Sequence, residues 1–263
     1  MSYIHENKFI WFEFPRTGTR TTLRVFEETL NPFKRHGNSH LGFNTRWLKS
    51  EDYDFWSENT IVVNIRNPFE WYHSIWAYTR HSCKNQARNE KGKSHLAQFP
   101  FTLPFEDWFW GMHSKNYERF HHSCNLACQM PSSNGFNLPK VQTAEFLEYR
   151  DTMGYMTVSL LKMFHPPFPD PQTLLETTEL PNNVHWLRLD NLVEDIKNIP
   201  NMEWTDEQLR KIELIGKRRH NQGPEDSSYA RLLAHKYTNS MRELIYDRDR
   251  LIFDKFGYTF NNV

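Results

Sequence analysis

The sequence has few cysteines, no excess of positive charge and no long apolar run, and each of these features argues against a class of protein. There are only three cysteines in 263 residues, an odd and sparse set that is atypical of a disulfide-stabilised secreted scaffold. Basic and acidic residues balance at 32 each, so the chain lacks the excess of positive charge that binding bulk nucleic acid requires. No apolar run reaches the length of a membrane span, and the first residues do not form a signal-peptide pattern. We therefore expect a cytoplasmic protein with no nucleic-acid and no membrane partner.

Short apolar runs alternate with patterns of helical period. Phe9–Phe12 and Ile61–Ile65 are typical of buried strands, and each is followed by turn residues and then by apolar residues at helical spacing. Residues 184–189 form a third such run. Strands that alternate with helices predict an α/β fold, a mainly parallel sheet flanked by helices. In such folds ligands bind beyond the carboxyl ends of the strands.

The middle and the end of the chain differ in character. Residues 81–180 hold eight of the fourteen prolines, and we expect them to form a helical or irregular insertion that selects the substrate, within a single domain of residues 1–263. The last helix is predicted from about Ser240 to Phe256. Ser240 and Glu243 would form its capping box, and Gly257 would end it.

The turn after the first strand has the chemistry of an anion site. Gly18 allows a tight turn, and the first N–H groups of the following helix have no partner within the helix. The helix dipole favours negative charge at the same place. Hydroxyl and guanidinium donors surround the glycine: Arg16, Thr17, Thr19, Arg20, Thr21 and Thr22.

A second pair of polar residues follows the second strand. Arg66 ends that strand, and Asn67-Pro68 is a good start for a helix. Ser74 lies eight residues after Arg66, two turns into this helix. One charge and one neutral hydroxyl are suitable partners for a phosphate.

Together the two loops resemble those of the sulfotransferases that use 3′-phosphoadenosine 5′-phosphosulfate (PAPS). In that family a P-[KR]-[ST]-G-[ST]-T loop binds the 5′-phosphosulfate, and residues 15–19 match its first five positions. A second strand that ends in R-[DN]-P, with a serine eight residues after the arginine, binds the 3′-phosphate, and Arg66 and Ser74 match it. Residues 187–192 and 253–258 look like two further family elements. The resemblance covers roughly residues 8–80 and 184–258.

The resemblance implies a P-loop-like sulfotransferase fold, nearer to the carbohydrate and tyrosylprotein branches than to the phenol type. It implies PAPS as co-substrate, an acceptor that carries a hydroxyl group, and no metal. The residues it assigns to PAPS binding are Arg16, Thr17, Gly18, Thr19, Arg20, Thr21, Arg66, Ser74, Lys217, Arg218 and Arg219. Arg20 stands where many members have a second loop threonine, which leaves its role open.

Catalysis by such an enzyme needs a cation at the leaving group and a base at the acceptor. Arg16 is the expected cation, because a fixed charge near the bridging oxygen stabilises the leaving phosphate. Some carbohydrate-type members hold a catalytic histidine in the segment that corresponds to residues 34–40, which makes His36 or His40 the expected base. Glu13 and Glu51 are reserve bases.

Two other functions fit the same loops. A nucleotide-dependent phosphotransferase would need a loop lysine and ligands for Mg²⁺, and no convincing set of them is present. A non-catalytic anion- or nucleotide-binding module would need neither. The acceptor stays open among a sugar, a lipid, a peptide tyrosine and a small alcohol.

Overall fold

The structure is a computed structural model, and its contacts divide the chain into two compact units. The first unit comprises Met1–Arg66 and Ser159–Ser228, and the second comprises Asn67–Val158 and Tyr229–Val263. The described residues are 2–5, 8–14, 16–36, 60–77, 104–113, 153–154, 156–157, 160, 183–217 and 237–259. The prediction of one domain with an insertion at residues 81–180 stays a prediction.

A five-stranded sheet organises the described part of the first unit. Its strands are β1 (Ser2–His5), β2 (Phe9–Phe12), β3 (Lys34–His36), β4 (Thr60–Ile65) and β5 (Val184–Arg188). Their order across the sheet is β3-β1-β2-β4-β5. The three strands β2, β4 and β5 are parallel, whereas β1 runs antiparallel to both of its neighbours. Parallel strands with flanking helices confirm the prediction of an α/β fold.

The two antiparallel strands are not in the sequence prediction. Residues 34–36 belong to the segment in which the resemblance implies a catalytic histidine, and they form β3 and pair with β1, with Ser2 opposite His36. β1 and β2 are consecutive and antiparallel, and the Lys8 N–H donates to the His5 carbonyl at 2.7 Å. The sheet is therefore mixed, with its parallel strands on one side.

Helices of the first unit cover the parallel strands. They are α1 (Thr19–Thr29), a 3₁₀ turn (Leu189–Asn191), α4 (Leu192–Lys197) and α5 (Asp206–Gly216). An aromatic and aliphatic core lies between α1, α5 and the sheet, because the apolar residues of β2 and the inner face of α1 are all buried. Its fully buried side chains include Phe9, Trp11, Val25, Phe26 and Val62. Burial of this kind stabilises by about 25 cal/mol per Å² of apolar surface.

The described part of the second unit is helical. Its helices are α2 (residues 68–77), α3 (Phe105–His113), α6 (Asn239–Arg248) and α7 (Arg250–Phe256). The prediction of one continuous terminal helix is wrong, because α6 and α7 are separate. The predicted capping box at Ser240 is wrong as well, since the Thr238 side chain accepts from the Met241 N–H instead. Gly257 ends α7 in the left-handed conformation, as predicted.

A buried carboxylate accounts for the break between α6 and α7. Asp249 is fully buried, and its Oδ1 accepts hydrogen bonds from the Thr157 N–H at 2.9 Å and the Thr157 hydroxyl at 2.7 Å. Its Oδ2 accepts from the Tyr72 hydroxyl at 2.8 Å. Burial raises the pKa of Asp249 to about 6, although these hydrogen bonds and the charge of Arg248 act in the opposite direction. The side-chain contacts thus fix the backbone where a straight helix would continue.

Among the described residues, no helix combines the length and the apolar character needed to cross a bilayer.

Candidate anion-binding site

The turn between β2 and α1 has an unusual backbone. Gly18, the N-cap of α1, has φ of +89°, and Arg16 has φ of +67°. Both values lie in the left-handed region, which costs a residue with a side chain roughly 1–2 kcal/mol. The Thr17 side chain is buried, and its hydroxyl donates to the Phe14 carbonyl at 2.6 Å, which holds the turn from within. Strained backbone of this kind is concentrated at functional sites.

The space beside the glycine is also limited. A Cβ atom at Gly18 would lie 2.5 Å from Leu189 Cδ1, closer than side chains approach one another. Leu189 begins the 3₁₀ turn after β5, so the end of β5 packs directly against the anion loop. The family-like element at residues 187–192 is thereby in contact with the loop at residues 15–19.

Two backbone donors at the amino end of α1 have no partner in the part of the chain that the structure describes. α1 has no side-chain cap and no acidic residue in its first turn. The Gly18 carbonyl accepts from the N–H groups of Thr21 and Thr22 at 3.0 and 3.2 Å. Within the described residues, no partner is found for the N–H of Gly18 or of Thr19. These two groups and the helix dipole together favour a bound anion.

Two of the four expected threonine hydroxyls already donate to carbonyl groups of the loop. Thr17 donates to Phe14, and Thr22 donates to the Gly18 carbonyl at 3.5 Å. Thr19 and Thr21 are partly exposed in the first turn of α1. We therefore expect the hydroxyl groups of Thr19 and Thr21 to donate to a bound anion, whereas Thr17 would contribute only through its backbone.

The second predicted loop meets the first. Arg66 follows β4, and its Nη1 lies 3.5 Å from the carbonyl oxygen of Arg16. β2 and β4 are adjacent and parallel, with Phe12 opposite Val63, so the residues that follow both strands emerge at the same edge of the sheet. The two loops that the sequence analysis singled out therefore lie together. Arg20, in the first turn of α1, adds an exposed guanidinium.

The other predicted site residues are less closely tied to this loop. Ser74 is buried in α2 of the second unit, so its part in a phosphate site stays a prediction. Lys217 follows α5, is exposed, and forms an ion pair with Glu213 at 3.5 Å. No contact between Lys217 and the Gly18 loop is found in the described part of the chain. Arg218 and Arg219 lie outside the described residues.

The expected bases are only partly described. The backbone of His36 ends β3, and it lies in the same row of the sheet as Ser2 and Phe12. Two strand spacings, roughly 10 Å, separate it from the end of β2. His40 and Glu51 lie outside the described residues, whereas Glu13 is buried directly after β2. The identity of the base stays a prediction.

One residue of this region escaped the sequence prediction. Asn64 is a fully buried polar residue in the apolar strand β4. Its Oδ1 accepts from Trp11 Nε1 at 2.8 Å, and its Nδ2 donates to Thr22 Oγ1 at 2.8 Å. The available signal was a single amide within a run of β-branched residues, which indicates a partner but not which one.

Comparison with known proteins gives no relative. No family model, no curated protein and no solved structure matches this chain. Among the described residues, there is also no group of three His, Cys, Asp or Glu side chains that could hold a metal ion.

Proposed function

We propose that this protein is a sulfotransferase that moves a sulfuryl group from PAPS to the hydroxyl group of an acceptor. One observation carries the proposal. Arg66 Nη1 lies 3.5 Å from the backbone of the Gly18 turn, at the carboxyl ends of two adjacent parallel strands. Two separate loops can therefore act on one ligand with negative charge at both ends. The proposal includes the P-loop-like form of the fold and a cytoplasmic location.

Different residues of the two loops would bind the two charged ends of the nucleotide. The N–H groups of Gly18 and Thr19 and the hydroxyls of Thr19 and Thr21 would bind the 5′-phosphosulfate, where the dipole of α1 favours negative charge. Arg66 would bind the 3′-phosphate, and the part of Ser74 in binding it stays a prediction from the sequence. The contact with the Arg16 carbonyl places the Arg66 guanidinium beside the Gly18 turn, and a guanidinium is a suitable partner for phosphate.

The proposed reaction is an in-line transfer at sulfur. The acceptor oxygen attacks sulfur in line with the bridging oxygen of the 5′-phosphate, a new S–O bond forms, and the bond from sulfur to the bridging oxygen breaks. The electron pair of the broken bond stays on the phosphate of 3′-phosphoadenosine 5′-phosphate, where Arg16 stabilises the charge. The proton of the acceptor passes to the base, His36 or His40. Positioning and electrostatic stabilisation supply most of the rate enhancement.

Calorimetry tests the proposal most directly. We expect 3′-phosphoadenosine 5′-phosphate to bind without metal and more tightly than ATP with Mg²⁺. Tighter binding of ATP with Mg²⁺ would instead favour a phosphotransferase. Incubation with PAPS carrying ³⁵S and a panel of sugars, phenols and alcohols then tests turnover. Binding without any transfer would favour a non-catalytic module.

A further inference from the structure

We propose that Asn64 and Thr22 are positioning residues that hold the peptide group between Gly18 and Thr19 in the orientation needed to bind an anion. The proposal rests on the proposed function, since this peptide belongs to the loop that would bind the 5′-phosphosulfate. Both side chains are fully buried, so they act through the backbone of the loop and not on the ligand itself.

The direction of the hydrogen bonds is fixed by chemistry. The indole of Trp11 can only donate, so the Asn64 atom that faces it at 2.8 Å must be the carbonyl oxygen Oδ1. The Asn64 NH₂ group then faces Thr22 Oγ1 and donates to it, also at 2.8 Å. The Thr22 hydroxyl accepts this bond and directs its own proton to the Gly18 carbonyl, 3.5 Å away. Each bond in such a chain strengthens the next.

Holding the Gly18 carbonyl also sets the direction of the following N–H. The carbonyl already accepts from the N–H groups of Thr21 and Thr22 at 3.0 and 3.2 Å, so it points into the helix. In a planar trans peptide the N–H of the next residue points the opposite way. The N–H of Thr19 is therefore turned outward from the first turn of α1, towards the proposed phosphosulfate.

A second threonine of α1 separates this role from ordinary helix packing. Thr29 is also buried, and its hydroxyl donates to the Val25 carbonyl, four residues earlier, at 2.6 Å. Such bonds are common for threonine in helices. Thr22 differs because the amide of Asn64 occupies its acceptor site and so fixes the direction of its hydroxyl.

Four variants test the positioning role. Thr22→Val and Thr22→Ala remove the hydroxyl, Thr22→Ser keeps it, and Thr29→Val removes the matched hydroxyl at the other end of α1. The probes are 3′-phosphoadenosine 5′-phosphate in calorimetry and inorganic sulfate in thermal unfolding. We expect Thr22→Val and Thr22→Ala to bind the nucleotide roughly five- to tenfold more weakly, about the effect of one hydrogen bond. Thr22→Ser should restore binding, and Thr29→Val should lower Tm without changing the affinity.

The outcomes separate this proposal from the proposed function. Nucleotide binding that is unchanged in Thr22→Val and Thr22→Ala overturns the positioning role and leaves the sulfotransferase proposal intact. If the wild type is stabilised by sulfate but does not bind the nucleotide, the sulfotransferase proposal fails. Loss of the sulfate effect in Thr22→Ala would still support positioning. A wild type that responds to neither probe overturns both, and if Thr22→Val does not fold, Thr22→Ala decides.

Discussion

Replacing Gly18 by alanine should damage the anion loop in two separable ways. The left-handed backbone, with φ of +89°, costs an alanine roughly 1–2 kcal/mol. The new methyl group would lie 2.5 Å from Leu189 Cδ1, the end of a partly exposed side chain, and moving that side chain off its rotamer costs roughly 0.5–1.5 kcal/mol more. We therefore expect Gly18→Ala to lower the free energy of unfolding by roughly 1.5–3.5 kcal/mol and to abolish tight nucleotide binding.

Gly257 provides a matched control. It has φ of +64°, but among the described residues no atom lies within 4 Å of a Cβ placed there, so we expect Gly257→Ala to have the backbone cost alone. Urea unfolding should find Gly18→Ala the more destabilising of the two, with nucleotide binding lost only in Gly18→Ala. Adding Leu189→Ala to Gly18→Ala should remove the clash, so the two changes should cost less together than the sum of their separate effects. Equal costs at the two glycines, together with additive effects, would refute the assigned contact.

Three further predictions concern charged side chains. Arg66→Ala should weaken the binding of 3′-phosphoadenosine 5′-phosphate by roughly 10- to 100-fold, the effect of losing a charge-assisted hydrogen bond, while the exposed Arg24→Ala should leave calorimetric affinity unchanged. Arg16→Ala should lower kcat far more than affinity, and a rate within a few-fold of wild type would exclude it as the catalytic cation. Because the pKa of Asp249 is raised to about 6, its contribution to stability is complete below pH 3.8 and is lost as the pH rises through 6. Relative to Asp249→Asn, the wild type should thus lose roughly 3 kcal/mol between about pH 4 and pH 7 in urea unfolding. Burial and the charge of Arg248 lower the pKa of His113 to about 3, so His113 makes stability rise with pH in both proteins, and the comparison removes this effect. A stability difference between wild type and Asp249→Asn that does not change with pH would contradict the assignment.

The sequence predicts those parts of the fold whose conformation depends on their own residues and close neighbours in the chain. β2 is a continuous apolar run, and β4 is apolar apart from Thr60 and Asn64, because both faces of these strands are buried. The turn at Gly18 is also predictable from its own residues. β3 could not be predicted in this way, because its short polar sequence is a strand only through pairing with β1. The break at Asp249 also comes from distant partners, Tyr72 and Thr157.

The candidate site shows the same division. The meeting of Arg66 with the Gly18 turn was predictable, since parallel strands bring their carboxyl ends to one edge of the sheet. Asn64 was not, because its partners Trp11 and Thr22 lie 53 and 42 residues away in the sequence. The left-handed conformation of Arg16 was not predictable either, since nothing in its identity favours positive φ.

Helix α1 is anchored at each end by an amide side chain from a different element. At its beginning, Asn64 bonds to Thr22, and at its end, Gln208 Nε2 donates to the Thr29 carbonyl at 2.7 Å while Gln208 Oε1 caps α5. A helix held by hydrogen bonds at both ends should keep its position when an anion binds at its amino end. The Gly18 turn would then have its binding conformation before the ligand arrives, so the entropy lost on association would come mainly from the ligand.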